Sequence, residues 1–292
     1  MLTRIISGAV GVVLLSAVLF FHDTIVLPIA VAAIIAVMLF ELLRAVKLHK
    51  CLPILIAAEA YGIAVPVLYG IMTKLTVDGP VVPPHYEFCA WRYAHDYNVY
   101  VFGAMLLCAF VVFVTWLRNH KAIRYEQVFF VLAVMILVPQ AMTTMVRMER
   151  YDSESGLFLL IMGLCGAWIA DTGAYFTGVA IGKHKLCPEI SPKKTVEGLV
   201  GGILTTAIAY TVAFSCYYGF TVKRALIAFV TGAVCAVIGT VGDLSASMVK
   251  RQIGFKDYGK IMPGHGGLMD RFDSVLFVLP TFYAFIALFG VQ

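Results

Sequence analysis

Three short polar stretches stand out in this chain, and the longest runs from Gly242 to Ser274 as GDLSASMVKRQIGFKDYGKIMPGHGGLMDRFDS. Two of its acids, Asp243 and Asp270, are accompanied by basic residues and separated by a glycine-rich turn. Carboxylates hold hard cations such as Mg²⁺, which keep waters and take further ligands from phosphates. Lys and Arg neutralise the charge that develops on phosphate oxygens during displacement. The stretch therefore predicts a metal-assisted phosphoryl-transfer site with Asp243 and Asp270 as metal ligands.

The residues after Asp243 have helical spacing. If the preceding apolar helix continues past Gly242, Ser247 follows Asp243 by one turn and Lys250 with Arg251 by about two turns. One helix face would then carry a carboxylate, a hydroxyl and two cations in a row.

The segment PGHGG, residues 263–267, cannot be regular helix because a proline and three glycines favour a tight loop that can approach a ligand closely. Asp270 and Asp273 follow it, one turn apart if a helix begins there. A solvated loop on the basic side of a membrane is the alternative interpretation. It explains the basic residues, but not four aspartates in one stretch or His265 enclosed by two glycines. The chain has no GxxxxGK[ST] or HExxH motif, which excludes a Walker loop and a zinc protease of that type.

The second polar stretch is WIADTGAYFTGVAIGKHKL, in which Asp171 lies well inside an apolar segment. A carboxylate at membrane depth costs roughly 2.5–3.5 kcal/mol on insertion scales and normally faces a polar cavity or a partner. We therefore expect Asp171 to line a polar cavity. The alternative is a structural hydrogen bond between helices beside Gly173 and Gly178.

The third stretch is CPEISPKKTVEGLVGG, in which Ser191, Lys193 and Lys194 precede an apolar helix. Thr195 has the spacing of a helix N-cap, with Gly198 at the third helical position. Free backbone N–H groups at a helix start, next to two lysines, make an anion site. A basic loop followed by an ordinary helix cap would produce the same pattern.

These stretches lie in a chain that is 61% hydrophobic and 13% charged, with a mean hydropathy of +0.90. Apolar runs of about 20 residues predict an all-α polytopic integral membrane protein, because isolated strands cannot satisfy their backbone in lipid. The runs lack the two-residue alternation of a membrane barrel. We predict nine transmembrane helices, at residues 5–21, 25–43, 52–72, 99–117, 127–146, 157–180, 199–219, 225–243 and 274–291.

The distribution of Lys and Arg predicts the orientation, since cytoplasmic loops carry the excess. With the N-terminus inside and the C-terminus outside, inner loops hold 16 and outer loops 6 of the 22 basic residues. The Gly242–Ser274 stretch then faces the cytoplasm, and residues 73–98 form the longest outer loop. The same excess accounts for the net charge of +5, so a nucleic-acid partner is not needed. Functionally, we divide the chain into N-terminal transmembrane helices, 1–150, and a catalytic transmembrane region, 151–292.

The stretch from Ser247 to Asp273 closely resembles the diagnostic motif of phosphatidate cytidylyltransferases, also called CDP-diglyceride synthases. That motif is serine, Lys-Arg, Lys-Asp, Pro-Gly-His-Gly-Gly and Asp-Arg-x-Asp at fixed spacings, and each position is matched here. Asp171 with Ala174-Tyr175, GKHKL and SPKKTVEG also resemble the family. The similarity in pattern covers about residues 165–275, while the N-terminal spans match only in being hydrophobic.

The resemblance implies an enzyme of phospholipid biosynthesis that converts CTP and phosphatidic acid into CDP-diacylglycerol and pyrophosphate. It further implies a bacterial plasma-membrane location, a cytoplasmic-facing site, Mg²⁺ as cofactor with room for a second, monovalent cation, and a homodimer as one option for assembly. Asp243 and Asp270 would bind the metal, with Ser247 and Lys250 as further catalytic residues. Substrate or phosphate contacts would come from Asp171, Ser191, Lys193, Lys194, Arg251, His265 and Arg271.

Two other functions stay open at this point. A CTP-dependent lipid kinase of the polyprenol type would release CDP instead of pyrophosphate. An ion-coupled transporter could place Asp171 and Asp243 on a substrate path, but its broken helices should recur in two halves, and no such symmetry is visible.

Overall fold

The computed structural model describes residues 2–77, 86–259, 261 and 266–290, and helices dominate this part of the chain. Eight helical segments are long and apolar enough to cross a membrane, and the shorter apolar segment Gly8–Phe20 precedes them. Each of the nine predicted spans falls on one of these segments, so the prediction of an all-α polytopic membrane protein is confirmed. The elements in chain order are α1 Leu2–Phe20, α2 Val26–Ala45, α3 Leu52–Val77, α4 Tyr86–Arg118, α5 Tyr125–Glu149, α6 Gly156–Ile181, β1 Lys185–Cys187, β2 Ser191–Thr195, α7 Val196–Tyr218, α8 Val222–Gln252, α9 Met269–Phe272 and α10 Val275–Phe289.

The chain packs as two compact units. The first contains residues 1–153 together with 258–269, and the second contains residues 154–257 and 270–292. The division into 1–150 and 151–292 made from the sequence concerned function, and it stays a prediction. In the structure, one part of the long polar stretch, residues 258–269, belongs to the same unit as the N-terminal helices.

In the first unit, α3 packs against α2, α4 and α5. The core is built from aliphatic side chains and two tyrosines, Tyr61 and Tyr97, which are almost fully buried. Each tyrosine hydroxyl has a partner: Gln140 Nε2 donates to the Tyr61 hydroxyl at 3.2 Å, and the Tyr97 hydroxyl donates to the Val65 carbonyl at 3.4 Å. These bonds allow bulky aromatic residues to fill an apolar core without leaving a polar atom unsatisfied.

In the second unit, α7 packs closely against α6 and α8, and α10 closes the group against α8 and α6. Glycines allow this approach. A Cβ added at Gly202 would lie 2.7 Å from the Ala170 carbonyl, and one added at Gly232 would lie 2.8 Å from the Thr206 carbonyl. Small residues at membrane helix contacts allow backbones to come together in this way. The close packing fixes α6 and α8, the two helices that carry Asp171 and Asp243.

A two-stranded antiparallel hairpin, β1–β2, interrupts the helices of the second unit. Lys185 pairs with Thr195, and Cys187 pairs with Ser191. This hairpin was not predicted, because its short strands contain mostly polar and proline-containing sequence with no alternation of apolar residues.

The predicted outer loop at 73–98 is wrong at both ends. Helix α3 continues to Val77, and α4 begins at Tyr86, so most of the expected loop is helical. The last proline of this segment is Pro84, and no proline or glycine follows it before Gly103, so neither helix-breaking residue interrupts the chain there. Low hydropathy had hidden these turns, since Glu87, Arg92, His95 and Asp96 lie within them.

Gly232 provides a test of the packing in the second unit. Gly232→Ala should lower the free energy of unfolding by about 1–3 kcal/mol, because the new methyl group meets backbone atoms that cannot move aside. The measurement is the thermal unfolding midpoint of the detergent-solubilised protein. Gly103→Ala is the matched control, since a Cβ there meets nothing within 4 Å. Equal midpoints for the two variants would contradict this account of the helix contact.

Candidate active site

Helix α8 continues past Gly242 to Gln252, as the spacing of its polar residues predicts. The Ser247 hydroxyl donates to Asp243 Oδ1 at 3.3 Å, so the expected alignment along one face is confirmed for this pair. Lys250 lies on the same helix and reaches Asp270 Oδ1 at 2.8 Å through its ammonium group. One helix face therefore carries Asp243 and the cation that holds Asp270.

Asp270 belongs to the short helix α9, and its side chain is only 5% exposed. The Lys250 side chain is 12% exposed, so this ion pair is largely withdrawn from solvent. Burial strengthens the attraction between the two charges, but it also raises the cost of removing either one alone. The pair joins the C-terminal part of α8 to the residues just before α10.

Asp243 has a lysine partner of its own. Lys194 Nζ lies 2.6 Å from Asp243 Oδ2, with both side chains 25% exposed. Lys194 comes from β2, which runs directly into α7. The structure thus brings Lys194, which was predicted to lie at a helix start, into contact with Asp243, which was predicted to lie on α8.

Two more carboxylates complete the cluster. Asp171, Asp243 and Asp273 lie close enough to interact electrostatically with one another. The Ser274 hydroxyl donates to Asp171 Oδ2 at 3.5 Å, and the Ser274 N–H donates to Asp273 Oδ1 at 2.8 Å. Asp273 is buried and was not among the predicted site residues, although its position in the Asp-Arg-x-Asp motif could have indicated it.

The hairpin that supplies the lysines is held at the start of α7. The Thr195 hydroxyl accepts from the Gly198 N–H at 3.1 Å, which confirms the predicted N-cap. The Glu197 carboxylate accepts from the backbone N–H groups of Lys183 and His184, and it lies 2.6 Å from His184 Nδ1. These bonds fix both ends of the β1–β2 segment. Glu197 was not predicted, and its place as an acid in the first turn of α7 is the signal that could have found it.

A cavity of about 420 Å³ lies between the hairpin and helices α6 and α7. Three lysines and one carboxylate supply its charged lining: Lys185, Lys193, Lys194 and Asp171. Apolar side chains, among them Val179 and Leu199, make up much of the remaining wall. The cavity can therefore accept an anionic group that carries an apolar portion. Lys185 was not predicted as a site residue, because only the later lysine pair stands beside a helix start.

The remaining predicted residues lie around this cluster. Ser191 begins β2 half-buried, and Arg251 is exposed, with its Nε donating to the Ile190 carbonyl of the hairpin at 3.4 Å. Arg271 is exposed on α9. These three residues do not line the cavity, and their predicted phosphate contacts stay predictions. His265 lies outside the described residues.

The carboxylate cluster fits a hard divalent cation by its chemistry. Within the part of the chain that the structure describes, no group of three or more His, Cys, Asp or Glu side chains is placed so that it could hold a metal ion, so the fit is one of donor chemistry and not of a preformed site. Lys194 and Lys250 each pair with one of the four carboxylates. A cation that keeps waters and takes ligands from bound phosphates suits such an open set of donors. Asp243 and Asp270 as its ligands stay a prediction.

Comparisons with known proteins agree on one family. The cytidylyltransferase family is matched by residues 2–289. A phosphatidate cytidylyltransferase of Bacillus subtilis (strain 168) is 33% identical over 291 residues, which cover 98% of each chain. A phosphatidate cytidylyltransferase of Staphylococcus saprophyticus is 45% identical over 134 residues, which cover 46% of this chain and 51% of that protein. One from Staphylococcus aureus (strain COL) is 44% identical over 131 residues, covering 44% of this chain and 50% of that protein.

Proposed function

The chain belongs to the cytidylyltransferase family, and we propose that it converts CTP and phosphatidic acid into CDP-diacylglycerol and pyrophosphate. The observation that carries this proposal is the lysine-lined cavity beside a cluster of four carboxylates, all within a group of membrane-spanning helices. An enzyme that joins a soluble nucleotide to a lipid needs an anionic-ligand site and an apolar surface at one place. This cavity offers both.

In the proposed reaction, an oxygen of the lipid phosphate attacks the α-phosphorus of CTP. A new P–O bond forms, and the bond from the α-phosphorus to the bridging oxygen breaks, so that pyrophosphate leaves with its electron pair. The lipid phosphate is already largely ionised at neutral pH, and positioning with charge neutralisation can carry the transfer without a covalent intermediate.

The lysines have distinct places in this scheme. Lys185 and Lys193 line the cavity, where they would bind phosphate oxygens of either substrate. Lys194 and Lys250 each hold a carboxylate, so they neutralise the cluster and fix Asp243 and Asp270 in orientation. Ser247 keeps Asp243 in place through its hydrogen bond. Mg²⁺ held by Asp243 and Asp270 would supply additional neutralisation of phosphate charge.

We propose further that the site faces the cytoplasm of a bacterial cell, where CTP is available. The greater number of basic residues in the loops on that side supports this orientation. A homodimer stays a prediction drawn from the family resemblance.

The products distinguish this function from lipid phosphorylation. We expect purified protein in lipid nanodiscs, given CTP labelled in the cytosine ring, phosphatidic acid and Mg²⁺, to release pyrophosphate and move the label into a lipid. A CTP-dependent lipid kinase would instead release labelled CDP and leave the lipid unlabelled. Labelled CDP as the main product would overturn the proposal.

The two proposed metal ligands can be tested separately from folding. Asp243→Asn and Asp270→Asn should each reduce turnover by about 100-fold or more, because loss of one charge-stabilising group in a dry site costs this much in other enzymes. Initial rates of labelled lipid formation at saturating CTP and Mg²⁺ give the measurement. Glu126→Gln, an exposed acid at the start of α5, is the control. A turnover for Asp270→Asn within twofold of the wild type would show that the metal assignment is wrong.

Lys193 should contribute to binding more than to turnover. The side chain is exposed within the cavity wall, so Lys193→Ala should raise KM for CTP or phosphatidic acid by about 3- to 10-fold, as expected for one partly screened charge-assisted contact. Steady-state kinetics with each substrate varied in turn provide the test. Lys223→Ala removes an exposed lysine at the start of α8 and serves as control. Unchanged KM values for both substrates would remove Lys193 from the site.

A further inference from the structure

The first unit contains a buried carboxylate that the proposed chemistry does not use. Glu41 lies in the C-terminal half of α2, within an apolar span, and only 1% of its surface is exposed. The insertion cost of an acid in such a span makes an unpartnered Glu unfavourable. The partners of Glu41 therefore indicate why an acid is present there.

The partners are backbone groups of the long polar stretch. Glu41 Oε1 accepts from the Leu268 N–H at 3.1 Å, and Oε2 accepts from the Met269 N–H at 2.9 Å. Both carboxylate oxygens are thus used to hold two consecutive peptide groups. Hydrogen bonds from N–H groups to a carboxylate are shorter and stronger than bonds between neutral groups.

Two glycines of the same stretch make room for this contact. Gly259 and Gly267 pack against each other, and a Cβ added to either would collide with the Glu41 carboxylate. Any other residue at these positions would displace the carboxylate or the chain. Glu41 thus fits closely against the two glycines and the two peptide groups that it contacts.

A second residue of α2, Arg44, holds the same polar stretch at Tyr258. Arg44 Nη2 donates to the Tyr258 carbonyl at 2.7 Å, and Tyr258 is itself buried. Arg44 follows Glu41 by three residues, so the two side chains project from neighbouring positions on one helix. Residues 258 and 268–269 are therefore attached to one helix.

We propose that Glu41 is a positioning residue for the reaction: it fixes the backbone at Leu268 and Met269 and, through Met269, the start of the helix that carries Asp270. This inference rests on the proposed function. Asp270 is the residue that follows Met269 in the chain, so a shift of the Met269 peptide group displaces its backbone directly. Small displacements of this kind at a phosphoryl-transfer site reduce turnover more than substrate binding.

The test replaces Glu41 and follows two properties. In Glu41→Gln, one acceptor oxygen becomes an N–H₂ donor that faces backbone N–H groups, so we expect faster deuterium exchange in peptides covering residues 266–270. We also expect kcat to fall by about 10- to 100-fold, with KM for CTP within about threefold of the wild type. Glu41→Asp keeps the charge but shortens the reach, and it should give an intermediate loss of kcat.

Glu59→Gln is the matched control. Glu59 is a half-buried acid in the neighbouring span α3, and its Oε2 has no hydrogen-bond partner among the described residues. We expect its kcat and its deuterium exchange at 266–270 to equal those of the wild type. If Glu41→Gln matches this control in kcat, the inference is wrong, whether or not exchange increases.

Two other results are possible: Glu41→Gln does not fold, or the wild type is inactive. If Glu41→Gln does not fold, as judged by its elution and its thermal unfolding, Gly259→Ala decides the question, because it crowds the carboxylate without removing its charge. A normal kcat for folded Gly259→Ala would then overturn the inference. If the wild type itself makes no labelled lipid, the proposed function fails, and the inferred role in that reaction fails with it. Exchange at 266–270 would then report only whether Glu41 holds the segment.

Discussion

The arrangement depends on the need to neutralise carboxylates in a chain that is otherwise apolar. Charge removed from water is unfavourable unless it is paired and hydrogen-bonded. Asp243 and Asp270 therefore each have a lysine, Lys194 and Lys250, and Glu41 has two backbone N–H groups. Each of these acids lies at a place where a loop or a strand meets a membrane-spanning helix. The requirement for pairing thus determines which irregular segments are held against which helices.

The same pairing explains how an enzyme could exchange ligands at this site. We propose that a lysine that holds a carboxylate could exchange it for a phosphate oxygen of a bound substrate, and that Mg²⁺, if held by the carboxylate, would supply the compensating charge. Lys194 is suited to this exchange, because it pairs with Asp243 and also lines the cavity. Lys250 is more deeply buried and pairs with Asp270. It is better suited to hold the start of α9 in place throughout the reaction.

Local patterns in the sequence predicted much of the helical framework and part of the site. Hydropathy located nine spans, helical spacing aligned Ser247 with Asp243, and capping preference identified Thr195, because each depends on residues close in the chain. The β1–β2 hairpin was missed because its short polar strands show no alternation of apolar residues, and Lys185 was missed because it does not stand beside a helix start. Glu41 was missed because its role comes from contacts with residues far away in the sequence. Glu41 lies 227 residues before Leu268, and its own helix looks like an ordinary apolar span with one acid near its end. The helical turns from Tyr86 were missed for the opposite reason: polar residues continued a helix beyond its apolar span.

Pairing also limits what the loss of activity in a single variant can establish. Removing one member of a buried ion pair leaves the other charge uncompensated, so the measured loss includes the cost of that charge as well as the loss of its chemical role. Asp243 and Lys194 form a partly buried pair, with both side chains 25% exposed, and a change in either alone would disturb both. The effects of two residues in direct contact are not additive, and their difference from additivity measures the coupling.

A cycle of Asp243→Asn and Lys194→Met separates the two contributions. Ion pairing alone predicts that the double variant is less impaired than the sum of the single losses. A separate role for Asp243 in binding a metal predicts that Lys194→Met leaves Mg²⁺ dependence intact while Asp243→Asn removes it. The carboxylate can therefore be assigned its role only when the lysine that holds it is varied as well.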